Sequence, residues 1–127
     1  MSIRTPLAHA RGLGSAKSGT AHWWAQRLTA IALIPLVIWF VISIIVMTGS
    51  SHESVVAWIA NPLTAVLMIL LIVAVFHHMQ LGLQVVIEDY IHTRWMEIAL
   101  LLFVKGAALL LGALGILSVL KIAIGGA

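Results

Sequence analysis

Two adjacent histidines and an Asp-Tyr pair are the groups of this chain best suited to chemistry. His77 and His78 end a long apolar run, and Asp89 and Tyr90 follow about three helical turns later. Imidazole is the commonest metal ligand among side chains, and a phenol beside a carboxylate can hydrogen-bond a carbonyl group and move protons. The segment from His77 to Tyr90 is therefore the candidate functional site.

The composition requires that these residues be carried by membrane-spanning helices. Of the 127 residues, 62% are apolar and 9% are charged, whereas about a quarter would be charged in a soluble domain. Three apolar segments, at about 28–48, 62–87 and 98–120, are each long enough to cross about 30 Å of hydrocarbon. We predict an all-α membrane protein: an N-terminal arm and interfacial segment at 1–27, then a three-helix transmembrane bundle at 28–127.

The charges predict an orientation rather than a nucleic-acid partner. The net charge is +3, but the cations are sparse and gather beside the first span and in the second loop. These cations are Arg4, Arg11, Lys17, Arg27 and Arg94. By the positive-inside rule the N-terminus and Tyr90 face the cytoplasm and the C-terminus faces away. The chain has no cysteine, which excludes disulfides and thiolate metal sites.

Helical periodicity favours His78 over His77 as the ligand of a haem. At 100° per residue, His78 shares a face with Asp89, Ala74 and Gly82, and the small residues one turn away leave clearance for a flat macrocycle. His77 lies 100° round, where a partner helix or a pocket edge is the expected neighbour. A histidine within a spanning helix is costly unless it has a partner, although a carbonyl of a neighbouring helix would satisfy that need as well.

A single histidine from this chain would leave a haem incomplete, so the second axial ligand must come from another chain. With two axial imidazoles such a haem would carry electrons rather than bind oxygen. His22 and Arg27 lie on the Tyr90 side and can pair with haem propionates, although Arg27 could also simply snorkel to the interface.

Asp89 and Tyr90 have two interpretations. They can bind a quinone carbonyl, or they can be an aromatic-belt tyrosine and a solvated carboxylate. Lys105 lies inside the third span, where we expect it to snorkel or to pair with Glu97.

Other residue types predict where the helices begin, end and pack. Asn61 followed by Pro62 predicts a cap at the start of the second helix. Residues 48–53 are expected to form a polar loop and residues 88–97 a charged loop. The small residues Ala108, Gly112 and Gly115 predict a face of close helix–helix approach in the third span.

Two motifs carry a family resemblance. The segment His22-Trp-Trp-x-Gln-Arg-x-Thr-Ala30 precedes the first span, and His78-x3-Gly-x6-Asp-Tyr90 ends the second. Together with the length and the three spans, they resemble the small hydrophobic anchor subunit of succinate dehydrogenase. The resemblance implies that three helices of this chain join three of a large cytochrome b subunit in a six-helix anchor. That anchor would hold one haem b and dock an iron–sulfur subunit and a flavoprotein subunit.

The resemblance also implies the roles of individual residues. His78 would be the axial ligand of the haem iron, Tyr90 and Asp89 would contact ubiquinone, and Arg27 and His22 would approach the haem propionates. The expected protein is a non-catalytic anchor of succinate:ubiquinone oxidoreductase in a bacterial inner membrane, with the mitochondrial inner membrane as the alternative location. It has no flavin fingerprint or cysteine cluster, so succinate oxidation would occur on partner subunits.

Two other functions are compatible with parts of the sequence. The anchor subunit of a quinol:fumarate reductase would have the same architecture and run the reaction in reverse. A small proton-relaying transport or assembly protein would explain buried histidines. It would also need a polar path across the bilayer, and the first span offers almost none.

Overall fold

The computed structural model describes residues 5–12 and 19–125, and they form five α-helices. The helices are α1 Pro6–Ala10, α2 Gly19–Met47, α3 His52–Ala60, α4 Pro62–Tyr90 and α5 Arg94–Gly125. Within the described residues there is no strand, and α2, α4 and α5 are long and apolar enough to cross a membrane. The predicted all-helical, three-span architecture is confirmed. Arg4, Lys17 and the other residues at 1–4 and 13–18 of the predicted N-terminal arm lie outside the described residues.

Helix α2 is an exposed apolar rod that continues through Pro35. Its 29 residues correspond to about 44 Å, which exceeds the hydrocarbon thickness, so its first turns can lie in the interface. No residue of α2 is buried within the chain. Lipid or further helices must therefore cover this surface. The six-helix anchor stays a prediction.

Local signals in the sequence set the turn between α2 and α4. Gly49 adopts a left-handed backbone (φ +82°) just after α2 ends, a conformation that glycine tolerates best. The predicted cap at Asn61 is confirmed, because its side chain accepts hydrogen bonds from Leu63 N and Thr64 N, and Pro62 opens α4. The short apolar stretch before it belongs to helix α3, which begins at His52 inside the expected polar loop.

The connection between α4 and α5 is shorter than the charged loop predicted for residues 88–97. Helix α4 continues to Tyr90 and α5 begins at Arg94, leaving three residues between them. Polar residues at a membrane interface can remain in a helix, because water hydrogen-bonds their side chains while the backbone hydrogen bonds of the helix continue. Glu97 pairs with Arg94 (N···O 3.6 Å), so the expected pair with Lys105 is not formed.

Small residues bring α5 close to α4, as the sequence predicted. A methyl group added at Gly112 would lie 3.6 Å from Phe76, and one at Gly115 would lie 3.3 Å from Ile72. Close approach of this kind lets helices gain van der Waals contact in a membrane, where the hydrophobic effect cannot drive them together. This packing fixes the rotation of α4 and so the direction of its histidines.

Gly115→Val is expected to destabilise the helix pair, because branched methyl groups would overlap Ile72 at a contact that is already tight. Overpacking of this kind costs about 1–3 kcal/mol. The matched control is Gly106→Val, because a side chain at Gly106 would meet nothing within 4 Å. Thermal unfolding of the purified protein in detergent should show a lower midpoint for Gly115→Val alone. Equal midpoints for the two variants would show that the Gly115 contact does not limit the packing.

Candidate haem and quinone site

His78 faces helix α2. Its side chain is half-buried, and its Nδ1 lies 3.1 Å from the Thr29 Oγ1 of α2. Ala74 and Gly82, one turn to either side on the same face, are buried and half-buried respectively. The ring is therefore held at one nitrogen, has small neighbours along its own helix, and keeps Nε2 available for another partner.

A groove of about 490 Å³ opens between α2 and α4. We call it the α2–α4 groove, and it is lined by Gly19, His22, Trp23, Gln26, Arg27, Gly82 and Val85. Gly82 lies one helical turn from His78 on the same face of α4. A methyl group on Gly82 would come 3.8 Å from the Gln26 Nε2, so any larger side chain would fill this part of the groove. The groove thus begins one turn from His78 and continues toward the Tyr90 end of the bundle.

Two polar atoms in the α2–α4 groove are buried without a hydrogen-bond partner among the described residues. They are His22 Nε2 and Gln26 Oε1. Buried polar atoms in native proteins are nearly always hydrogen-bonded, so these two indicate a missing ligand, water or chain. Arg27 adds a cation at the same groove, with its guanidinium carbon 5.4 Å from the centre of the Trp23 ring. The protonated His22 Nε2 and the Arg27 guanidinium are donors suited to a ligand that carries carboxylates, whereas Gln26 Oε1 needs a donor of its own.

Gln26 is a groove residue that the sequence analysis did not select. His22, Gln26 and Thr29 are spaced i, i+4, i+7 and so form a polar stripe on one face of α2, next to the apolar span. That stripe was a visible signal.

His77 faces a different groove from His78. It is exposed and, with Gln80, Gln84 and Lys105, lines a space of about 600 Å³ between α4 and α5. We call this space the α4–α5 groove. The Gln80 Nε2 lies 3.4 Å from the Gln84 Oε1, and the Gln84 Nε2 donates to Glu88 at 2.9 Å. Only His78 contacts α2, so the two histidines are not interchangeable in this fold.

Asp89 and Tyr90 end α4, and both side chains are exposed. Asp89 shares the His78 face of α4 and lies one turn beyond Val85 of the α2–α4 groove. From His78 to Asp89 the helix rises about 16 Å. Tyr90 is 76% exposed and lies 100° further round the helix. The structure therefore brings Arg27, Asp89 and Tyr90 to one end of the bundle, and it places His78 deeper.

The donor set favours a cofactor that takes one ligand from this chain. Within the described residues, no group of three or more His, Cys, Asp or Glu side chains could hold a metal ion. His78 can supply a single nitrogen, and the α2–α4 groove, which begins at Gly82 one turn away, supplies polar partners from α2. A haem shared with a second chain fits this arrangement, because one protein nitrogen occupies each face of the iron and the propionates need separate partners.

Comparison with known proteins identifies the family of the chain. The family model described as "Succinate dehydrogenase/Fumarate reductase transmembrane subunit" matches residues 1–119. The chain belongs to this family.

Two relatives of the succinate dehydrogenase/fumarate reductase transmembrane subunit family carry the same curated name, "Succinate dehydrogenase hydrophobic membrane anchor subunit". The relative from Rickettsia bellii is 32% identical over 103 residues, which cover 81% of this chain and 82% of the relative. The one from Paracoccus denitrificans is 36% identical over 86 residues, 68% of this chain and 67% of the relative. No solved structure matches the chain.

Proposed function

We propose that this chain is the hydrophobic membrane anchor subunit of a succinate:ubiquinone oxidoreductase and that it holds one side of a haem b. The observation that carries the haem assignment is the unpartnered buried His22 Nε2 beside Arg27, in a groove that begins one turn from His78. The curated names of the relatives support the choice of enzyme complex.

The residues of the α2–α4 groove divide the binding of the haem between them. His78 would hold the haem iron through one imidazole nitrogen, and the small side chains at Ala74 and Gly82 would leave room for the macrocycle. His22 Nε2–H and the Arg27 guanidinium would donate hydrogen bonds to the propionates, and such charge-assisted bonds are about twice as strong as neutral ones. When bound, the haem supplies one-electron transfer. The large cytochrome b subunit would supply the further protein ligand that the iron needs.

The quinone site lies at the end of α4. The Tyr90 phenol would donate a hydrogen bond to a ubiquinone carbonyl, and Asp89 would orient that phenol or exchange protons with water. Both side chains are exposed in the chain alone, which leaves them free for a shared site. The iron–sulfur subunit docks at this end and delivers electrons, while the flavoprotein subunit beyond it oxidises succinate.

The proposed setting is a bacterial inner membrane, because the relatives from Rickettsia and Paracoccus are bacterial and three helices here are fit to span a bilayer. The N-terminus and Tyr90 would face the cytoplasm and the C-terminus the periplasm. A succinate dehydrogenase is preferred to a fumarate reductase because both curated relatives carry the former name.

Arg27→Gln should lower the midpoint potential of the haem in the assembled complex. A unit charge about 10 Å from the iron, at an effective dielectric of about 20, contributes about 1.7 kcal/mol, or about 70 mV for one electron. Removing a positive charge favours the oxidised haem, so the potential falls. Redox titration followed by visible absorption measures the change.

The matched control is Arg94→Gln. Arg94 starts α5, pairs with Glu97 and does not line the α2–α4 groove. The haem midpoint potential of the Arg94→Gln complex should stay close to that of the wild type. If both substitutions lower the potential equally, or neither does, Arg27 does not lie beside the propionates and the placement of the haem in this groove is wrong.

A further inference from the structure

Thr29 has more polar neighbours than its hydroxyl has protons. Its Oγ1 lies 2.7 Å from the Ala25 carbonyl oxygen, 3.1 Å from the Gln26 carbonyl oxygen and 3.1 Å from His78 Nδ1. The first two contacts lie within α2, and the third joins α2 to α4. Because a threonine hydroxyl has one proton and two acceptor lone pairs, the positions of the hydrogens can be worked out from these distances.

The two carbonyl oxygens can only accept hydrogen bonds, so they fix the direction of the hydroxyl proton. If Thr29 donated its proton to His78, its lone pairs would face the Ala25 oxygen at 2.7 Å with no hydrogen between them, which is repulsive. The proton therefore points to the backbone of α2, as in the i−4 bond that threonine commonly makes in helices. The lone pair left over accepts the Nδ1–H of His78.

We propose that Thr29 is a positioning residue that fixes the tautomer and the ring orientation of His78. A neutral imidazole with its proton on Nδ1 carries its free lone pair on Nε2, the atom that remains for a metal. The contact between Thr29 and His78, which lie 49 residues apart in the chain, would thus leave the Nε2 lone pair free for iron before the cofactor binds. This inference rests on the proposed role of His78 as a haem ligand.

The same hydrogen bond should persist in the loaded complex and tune the haem. Histidine ligands usually donate their second N–H to an oxygen, which makes the ligand nitrogen more basic, and removing such a partner typically costs 10–100-fold in metal affinity. A more basic nitrogen favours the oxidised iron. Loss of the Thr29 bond should therefore raise the midpoint potential, opposite to the effect expected for Arg27→Gln.

Thr29→Val, Thr29→Ser and Thr48→Val in the co-expressed complex test this proposal. Valine keeps the branched shape without the hydroxyl, serine keeps the hydroxyl, and Thr48 is a matched control. Its Oγ1 makes the same i−4 bond, to the Ile44 oxygen at 2.9 Å, but contacts no histidine. We expect Thr29→Val to lose haem to an excess acceptor protein about 10–100-fold faster than the wild type and to show a higher potential. Thr29→Ser and Thr48→Val should behave like the wild type.

A second measurement needs neither haem nor a substituted chain. In the full-length chain with ¹⁵N-labelled histidine, purified in detergent, the ring-nitrogen shifts of His78 should show a proton on Nδ1 and none on Nε2. A proton on Nε2 would overturn the proposal, as would wild-type haem retention and potential in Thr29→Val. Equal haem loss in Thr29→Val and Thr29→Ser would also overturn it, because packing alone would then explain the effect.

The outcomes separate this proposal from the haem assignment. If His78→Ala loses the haem and Thr29→Val behaves like the wild type, His78 remains the ligand and only the role of Thr29 fails. If His78→Ala keeps the haem, the proposed function itself fails.

Discussion

Replacing His78 by alanine is expected to remove the haem b absorption from the purified complex. The variant loses an axial nitrogen, and the cost should exceed the 10–100-fold loss of affinity that follows removal of an outer partner of a ligand. Reduced-minus-oxidised spectra, scaled to the flavin of the same sample, give the haem per complex. We expect less than about a tenth of the wild-type value.

His77→Ala is the matched control for this experiment. It deletes the same side chain from the neighbouring position, which is exposed in the α4–α5 groove and does not contact α2. The spectrum of His77→Ala should resemble that of the wild type. If His77→Ala loses the haem and His78→Ala keeps it, the ligand is His77, and α4 must be rotated by about 100° from the orientation described above.

Tyr90→Phe is expected to slow succinate-driven reduction of ubiquinone about 10–100-fold. Phenylalanine keeps the ring and removes the hydroxyl that we propose to hydrogen-bond the quinone carbonyl. A bond worth about 1.5–3 kcal/mol in the transition state changes a rate by about that factor. Succinate oxidation with an artificial acceptor should keep its wild-type rate, because the flavoprotein carries that reaction. The ratio of the two activities is the quantity to compare.

Trp95→Phe provides the control for a general loss of aromatic anchoring at this end of the bundle. Trp95 is 72% exposed at the start of α5, close in sequence to Tyr90, and no role in quinone binding is proposed for it. The Trp95→Phe complex should retain both ubiquinone reduction and succinate oxidation with an artificial acceptor. Wild-type ubiquinone kinetics in Tyr90→Phe would mean that the phenol belongs only to the aromatic belt.

The sequence predicted the features that follow from composition and local chemistry. The chain is 62% apolar, and three of its apolar segments are long enough to cross the hydrocarbon layer. The three spans therefore followed from the composition and length of these segments. The cap at Asn61 and the close packing at Gly112 and Gly115 followed from residue type. The end of α4 and the start of α5 were not predicted, because charged residues at a membrane interface are compatible with both a loop and a helix.

The finer geometry of the site depends on how α2 packs against α4, which no local pattern contains. Periodicity gave His78 and Asp89 a common face, but it could not say that Thr29, 49 residues earlier in the chain, would lie against the His78 ring. The burial of Gln26 Oε1 without a hydrogen-bond partner likewise depends on tertiary packing and cannot be predicted from the sequence. Contacts of this kind need the tertiary structure.

We infer that this chain helps to hold a haem b, and that succinate reduces this haem through the other subunits of the complex. The most direct measurement is the visible spectrum of the complex purified through a tag on this chain, after co-expression with its neighbouring genes, before and after addition of succinate. We expect the flavoprotein and iron–sulfur subunits to co-purify with the chain, together with one haem b per copy that is reduced when succinate is added. A complex that contains those subunits but no haem, or a chain that purifies without them, would contradict it.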